Sequence, residues 1–162
     1  MDKTQVLALL DARGISYERA EHEAVFHMGA LAEVGVPHLD RIAKNLLLRD
    51  DKKRAFFLVS VWGEKRLDLK AFRKAHGTRP LTFASDEDLS RLLALTPGSV
   101  TPLGLLNAAP ESVRWFVDED FFSGEGIIGV HPNDNTATIF LAATDLVDLL
   151  RSEGHSVEVS AF

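Results

Sequence analysis

The chain has 162 residues, 46% of them hydrophobic and 26% charged, with a formal net charge of −6 and no cysteine. That balance predicts one globular domain over 1–162 with a real core, and it excludes disulfides, thiolate nucleophiles and cysteine-ligated zinc. No apolar run reaches the length of a membrane span, and the opening MDKTQVLALLDARG reads as an amphipathic helix without a cleavage pattern, so a cytoplasmic protein with no membrane partner is expected.

Taken in order, Val6, Leu7, Leu9 and Leu10 predict a helix over 4–13, stopped by Gly14. Residues 15–22 read as a strand, and 28–34 as a short helix closed by Gly35 and Pro37. Two apolar runs, 43–49 and 54–61, flank the polar DDKK at 50–53 and predict a hairpin. A cationic helix over 67–76 follows and stops at Gly77. Ser85 with Asp88 resembles a capping box that introduces a helix over 86–95. Strands are expected at 113–118, 127–130 and 137–141, a last helix at 144–153 and a closing strand at 156–159. Phe56, Phe57, Trp62, Trp115, Phe121 and Phe122 fall at strand or turn positions suited to core and rim. The implied class is α+β: a curved, largely antiparallel mixed sheet of about six or seven strands with surrounding helices.

Charge is unevenly spread. Between Arg41 and Arg79 lie twelve of the eighteen Lys and Arg residues against four acids, a local net charge of +8 that leaves −14 for the remainder. One cationic face could meet a polyanion while the rest of the surface discourages indiscriminate binding; the plainer reading is a pair of solvated surface elements.

Four places could carry chemistry. Residues 95–107, LTPGSVTPLGLLN, hold Gly98 and Pro102 around a turn that no regular helix or strand accommodates, with backbone donors free to hold an oxygen anion; such turns more often only reverse the chain. Lys44 interrupts the apolar neighbours Ile42, Ala43, Leu46, Leu47 and Leu48, which suits either an ammonium at a cleft mouth or a strand-edge lysine in water. Asn45 beside it should face the other way by strand alternation. His131, before Pro132, projects from a strand end, where it either enters a cleft or bonds a loop carbonyl. His22 and Glu23 make a polar strand end that needs no chemistry. The histidines at 22, 27, 38, 76, 131 and 155 lack the close helical pairing of zinc enzymes, so neither a metal nor another cofactor is expected.

KNLLLRD at 44–50, LTPGSVTPLGLLN at 95–107 and GVHPNDNTAT at 129–138 occur together in the order of one family. The chain resembles the YbaK/ProX editing superfamily over nearly its whole length, and within it the freestanding prolyl-tRNA deacylases. That resemblance implies a hydrolase that removes alanine mischarged onto proline tRNA, with alanyl-tRNA(Pro) as partner and prolyl-tRNA synthetase as a further candidate partner. It matches the family's lysine to Lys44, its Gly-x-x-x-Pro loop to Gly98 through Pro102 and its late-strand histidine to His131. It further implies a substrate environment from Asn45, Ser99, Val100, Thr101, Pro102, His22, His27, Asn135 and Thr136. Acceptor-stem phosphates would meet Arg49, Lys52, Lys53, Lys65, Arg66, Lys70, Arg73 and Lys74. The family's HEPVFT segment is HEAVFH here, which differs at Ala24 and His27 near the amino-acid pocket and leaves the amino acid open.

The chemistry implied needs no covalent nucleophile, because the aminoacyl ester is already activated. Backbone N–H groups of the Gly98 loop would hold the carbonyl, Lys44 would add positive charge, water would attack, and His131 would orient the substrate. Lys44 is given no general-base role, since a lysine ammonium holds its proton at neutral pH unless strongly desolvated. Two alternatives stay open: a deacylase for a cysteinyl, seryl or threonyl ester, and a non-catalytic module that binds aminoacyl-tRNA or an amino acid. Oligomeric state is not legible.

Overall fold

Local signals set most element boundaries. The Asp2 carboxylate accepts from the Gln5 N–H while the Asp2 N–H donates to Gln5 Oε1, opening α1 (Lys3–Ala12) with a capping box. The computed structural model describes residues 1–162, with the side chain of Met28 outside the description. β1 (Tyr17–Glu21) and α2 (Met28–Glu33) follow, and then the hairpin of β2 (Ala43–Asp50) and β3 (Phe56–Trp62). α3 (Leu69–His76) begins two residues later than its composition suggests, because Asp68 is its N-cap and accepts from the Lys70 and Ala71 N–H groups. β4 (Leu81–Phe83) is a three-residue strand that the sequence pattern does not announce. In α4 (Asp86–Leu93) both halves of the Ser85–Asp88 box form, and the helix stops early because Ala94 takes a left-handed φ of 54°. β5 (Arg114–Asp118), β6 (Ile127–Val130), β7 (Ala137–Ala142), α5 (Ala143–Ser152) and β8 (Val157–Ser160) complete the chain.

Eight strands, not six or seven, make two sheets instead of one. The first has the order β1-β7-β6 and is antiparallel throughout; the second has the order β4-β2-β3-β5-β8, with β3-β5 and β5-β8 parallel. They meet at one parallel bridge between Ile42, just before β2, and Gly129 in β6. A Cβ on Gly129 would lie 2.6 Å from the Phe140 ring and 3.2 Å from the Ile42 Cα, so only glycine lets the two sheets approach this closely.

Alternation on β2 divides the interior. Ala43 and Leu47 enter a large cluster with Leu10, Leu93, Leu103, Trp115 and Leu146, while Leu48 faces a second one with Phe57, Val59, Phe72 and Phe116 under α3. A third cluster, Val25, Leu31, Val36, Ile42 and Phe140, fills the seam between the sheets and backs the site described next.

Candidate functional site

The stretch from Thr96 to Asn107 is more ordered than a plain loop. Pro97 and Gly98 occupy the central positions of a turn closed by Ser99 N–H to Thr96 O at 3.0 Å, with Gly98 at φ 87°, the pattern of a type II turn. From Pro102 to Asn107 the chain is a 3-10 helix, so the expectation of no regular structure fails for its second half: Pro102 sits in the first turn, where its missing N–H costs nothing. Thr101 caps this helix by accepting from the Leu103 N–H and donates its own hydroxyl to the His131 carbonyl at 2.7 Å. The main-chain N–H groups of Gly98, Val100 and Thr101 have no backbone or side-chain acceptor among the described residues, whereas that of Ser99 is used by the turn.

This turn faces the seam. A cavity of about 380 Å³ is bounded by Ile42 and the start of β2 to Asn45, by Gly129 and Val130 of β6 with His131 just after it, by Gly98 in the turn and Val100 following it, by Val25–His27 and Leu31 from the segment around α2, and by Thr138 from β7. Its wall is mostly apolar. Asn45 holds the turn against the sheet, because its Nδ2 donates to the Val100 carbonyl at 3.1 Å while its Oδ1 accepts from Ser60 Oγ at 2.5 Å. Ser60 Oγ in turn accepts from the buried Trp115 Nε1 at 2.9 Å, so a chain of hydrogen bonds runs from the core to the cavity rim. Lys44 alternates to the other face of β2, as expected, and has no carboxylate within salt-bridge distance among the described residues. Alternation does not exclude either residue from the site, since the cavity wraps around the end of the strand and both line it.

His131 combines the two alternatives. Its Nδ1 donates to the Ala137 carbonyl at 2.7 Å, the loop-carbonyl bond, while the ring also borders the cavity. Burial pushes its pKa below the ordinary 6.5, against the opposing pull of that carbonyl, so the ring is neutral at pH 7 with its proton on Nδ1. Nε2 then carries a lone pair and makes no hydrogen bond among the described residues. His22 stands behind it: its ring centroid is 6.1 Å away, Nδ1 donates to the Glu23 carbonyl, and Nε2 accepts from Thr138 Oγ1 at 3.0 Å.

Gly98, Val100, Asn45, His27, Lys44 and His131 are therefore brought to one cavity, and the remaining expected substrate neighbours are not. Ser99 is buried in the turn and Pro102 at the start of the 3-10 helix, and Thr101 has its hydroxyl committed to His131. His22 supports Thr138, Asn135 Nδ2 donates to the Val25 carbonyl at 2.8 Å, and Thr136 donates to Asp134. These six hold the frame instead of lining the cavity. Val25, Phe26, Leu31, Ile42, Gly129 and Thr138 line it without having been anticipated; Gly129 and Thr138 bracket the GVHPNDNTAT motif, so the motif's ends carried the signal.

The cationic segment also divides. Lys52, Lys53, Arg66, Lys70, Arg73 and Lys74 are exposed. Arg49 instead donates to Asp88 at 2.5 Å, and Lys65 bonds Asp118 at 2.9 Å and Asp120 at 2.7 Å, so both charges are neutralised within the fold. Burial opposes ionisation of Asp88, but hydrogen bonds from Ser85, Arg91 and Arg49 override it and hold its carboxyl at about 2.

The sequence profile of the aminoacyl-tRNA editing domain matches residues 22–149, which include every cavity-lining position. The chain belongs to that family. Editing an aminoacyl-tRNA is hydrolysis of its ester, so membership makes the protein an aminoacyl-tRNA deacylase. A prolyl-tRNA editing protein ProX from Acetoanaerobium sticklandii is 36% identical over 154 residues, covering 95% of this chain and 93% of that protein. A prolyl-tRNA synthetase associated domain-containing protein 1 from Xenopus laevis is 30% identical over 160 residues, covering 94% and 92%. In fold, the chain superposes on a proposed trans-editing enzyme for prolyl tRNA synthetase with a TM-score of 0.74 at 23% identity, over 98% of this chain and 94% of that one. Among the described residues, no helix is long and apolar enough to cross a membrane.

Proposed function

We propose that the protein hydrolyses alanyl-tRNA(Pro) in trans, with the alanyl group in the seam cavity and the ester at its mouth. The observation that carries this reading is the composition of the cavity: about 380 Å³ of mostly apolar space lined by Lys44, which has no ion-pair partner among the described residues, and by Gly98 in the type II turn and Val100 just after it, whose N–H groups are unbonded. The relative from A. sticklandii, a prolyl-tRNA editing protein, supports the choice of tRNA(Pro). A synthetase site sized for proline rejects alanine weakly, since a missing methylene is worth only about 1–3 kcal/mol, and a second, smaller site supplies the discrimination.

The turn N–H groups receive the carbonyl oxygen as negative charge builds on it, and Lys44 adds a positive charge beside the ester. His131 Nε2, an acceptor, receives a hydrogen from the substrate's α-ammonium and fixes the amino acid's orientation. Water oxygen bonds to the carbonyl carbon, the bond to the ribose oxygen breaks, and that oxygen leaves with a proton, giving alanine and free tRNA. The exposed cations of α3, Lys70, Arg73 and Lys74, take acceptor-stem phosphates.

Hydrolysis of alanyl-tRNA(Pro) beside prolyl-tRNA(Pro), alanyl-tRNA(Ala) and the cysteinyl, seryl and threonyl esters tests this. Selective loss of the alanyl ester from tRNA(Pro) is expected; preference for another ester, or binding without ester loss, would contradict it.

A further inference from the structure

Ser60 carries the one hydroxyl of β3, FFLVSVW, and it is fully buried. A hydroxyl in such a place costs stability unless it is bonded, and alanine would fill the position without that demand. The bonds it makes run across the sheet. Ser60 stands directly opposite Asn45 in the β2–β3 register, and Trp115 lies on β5, the neighbour of β3 on its other side. Trp115 Nε1 is 2.9 Å from Ser60 Oγ, Ser60 Oγ is 2.5 Å from Asn45 Oδ1, and Asn45 Nδ2 is 3.1 Å from the Val100 carbonyl. Both ends of this relay are fixed in kind, since an indole nitrogen only donates and a main-chain carbonyl only accepts. The relay therefore has one direction. Ser60 takes the indole hydrogen and passes its own to Asn45 Oδ1, which turns Nδ2 towards Val100. An amide turned the other way would set two acceptors, Oδ1 and the Val100 carbonyl, against each other.

Resting on the reading above of these N–H groups as the receivers of the ester carbonyl, we propose that Ser60 and Trp115 are positioning residues for the hydrolysis: acting through Asn45, they pin the Val100 carbonyl and thereby aim the Val100 N–H at the ester oxygen. Neither residue borders the cavity, so neither touches the substrate. Val100 is held from both sides. Before it, the Ser99 N–H closes the turn on Thr96; after it, its own carbonyl is on Asn45 and the Thr101 hydroxyl is on the His131 carbonyl. The Val100 N–H lies between these ties and has no acceptor of its own among the described residues, so it keeps its direction while they hold. With the Asn45 tie lost, the Val100 carbonyl is free to turn to the cavity, where its negative end opposes the charge building on the ester oxygen. Because the relay crosses the adjacent strands β2, β3 and β5, the direction of this donor is set by the sheet and not by the stiffness of a loop.

Ser60→Ala removes the middle link, and Asn45→Asp, nearly the same in shape, places an acceptor before the Val100 carbonyl. Amide relaxation dispersion on the free protein reads the tie without any substrate, so failure here is separable from failure of the alanyl-tRNA(Pro) reading. Millisecond exchange is expected at Val100 and Thr101 in both variants and not in the unaltered protein. Kinetics are measured on whichever aminoacyl ester the unaltered protein cleaves fastest. Ser60→Ala should lower kcat about tenfold with KM changed less than about twofold, because the turn's donors serve the transition state. In the Asn45→Asp background the same change should add almost nothing, since both act through one bond. Exchange confined to β3, an unchanged kcat in Ser60→Ala, or losses that add in the double variant would each overturn the proposal.

Discussion

Thr101 Oγ1 donates to the main-chain carbonyl of His131 at 2.7 Å, so the Gly98 turn and the end of β6 are one mechanical unit. The same oxygen accepts from the Leu103 N–H and starts the 3-10 helix. Thr101→Val keeps the shape and leaves both backbone groups unpaired in a fully buried place, so unfolding in urea should show a loss of about 1–3 kcal/mol. Thr101→Ser should restore most of it, because the hydroxyl, not the methyl, makes the tie.

Gly98 supports a second expectation. Its φ of 87° excludes a Cβ without strain, and one built there would fall 2.7 Å from the Phe26 ring. Phe26 is 71% exposed and can swing away, so in Gly98→Ala the stability cost is the backbone strain, about 1–2 kcal/mol. Activity should suffer more, because both the turn N–H groups and the ring at the cavity mouth move; deacylation at least about tenfold slower, by single turnover, is expected.

The hairpin, the Ser85–Asp88 capping box and the Pro/Gly turn were readable because each depends on residues within a few positions of one another. Asp50–Lys53 reverse β2 into β3, and Ser85 reaches Asp88 within one helical turn. The seam was not readable: it needs Ile42 beside Gly129, a pairing that no local pattern encodes. β4, with three residues, is too short for alternation to register. Among site residues, Lys44 and His131 stood out because a cation and a pre-proline histidine are costly at strand ends, whereas Val25, Leu31 and Ile42 look like any other core positions. Thr101 illustrates the converse error, since a hydroxyl in a polar turn looks available until its backbone partner is seen.

His131 makes the fold sensitive to mild acid. Its folded pKa lies below the unfolded 6.5, so between those values the unfolded chain binds more protons and stability rises with pH. Its contribution is complete above 6.5 and is lost as pH falls through the folded value. His155, also lowered by burial, acts in the same direction. Unfolding free energies measured from pH 7 to pH 5 should fall less steeply in His131→Gln than in the unaltered protein.

Charge reversal separates phosphate-binding cations from structural ones. Lys70→Glu/Lys74→Glu on exposed α3 should weaken tRNA binding and reduce the slope of log affinity against log salt by about two, with thermal stability unchanged. Lys65→Ala should do the opposite, because its loss leaves the fully buried carboxylate of Asp118 without its cation. Equal effects of both variants on tRNA affinity would show that the division of charges is not functional.

The central claim is that Lys44, which lines the seam cavity and has no ion-pair partner among the described residues, serves the ester of alanyl-tRNA(Pro). Single-turnover hydrolysis of that substrate by the unaltered protein and by Lys44→Ala tests it most directly, with thermal unfolding as the check that the fold survives. The account predicts rapid ester loss with the unaltered protein, prolyl-tRNA(Pro) spared, and a fall of at least about a hundredfold in the variant at unchanged stability. Hydrolysis by Lys44→Ala within a few-fold of the unaltered rate would contradict it.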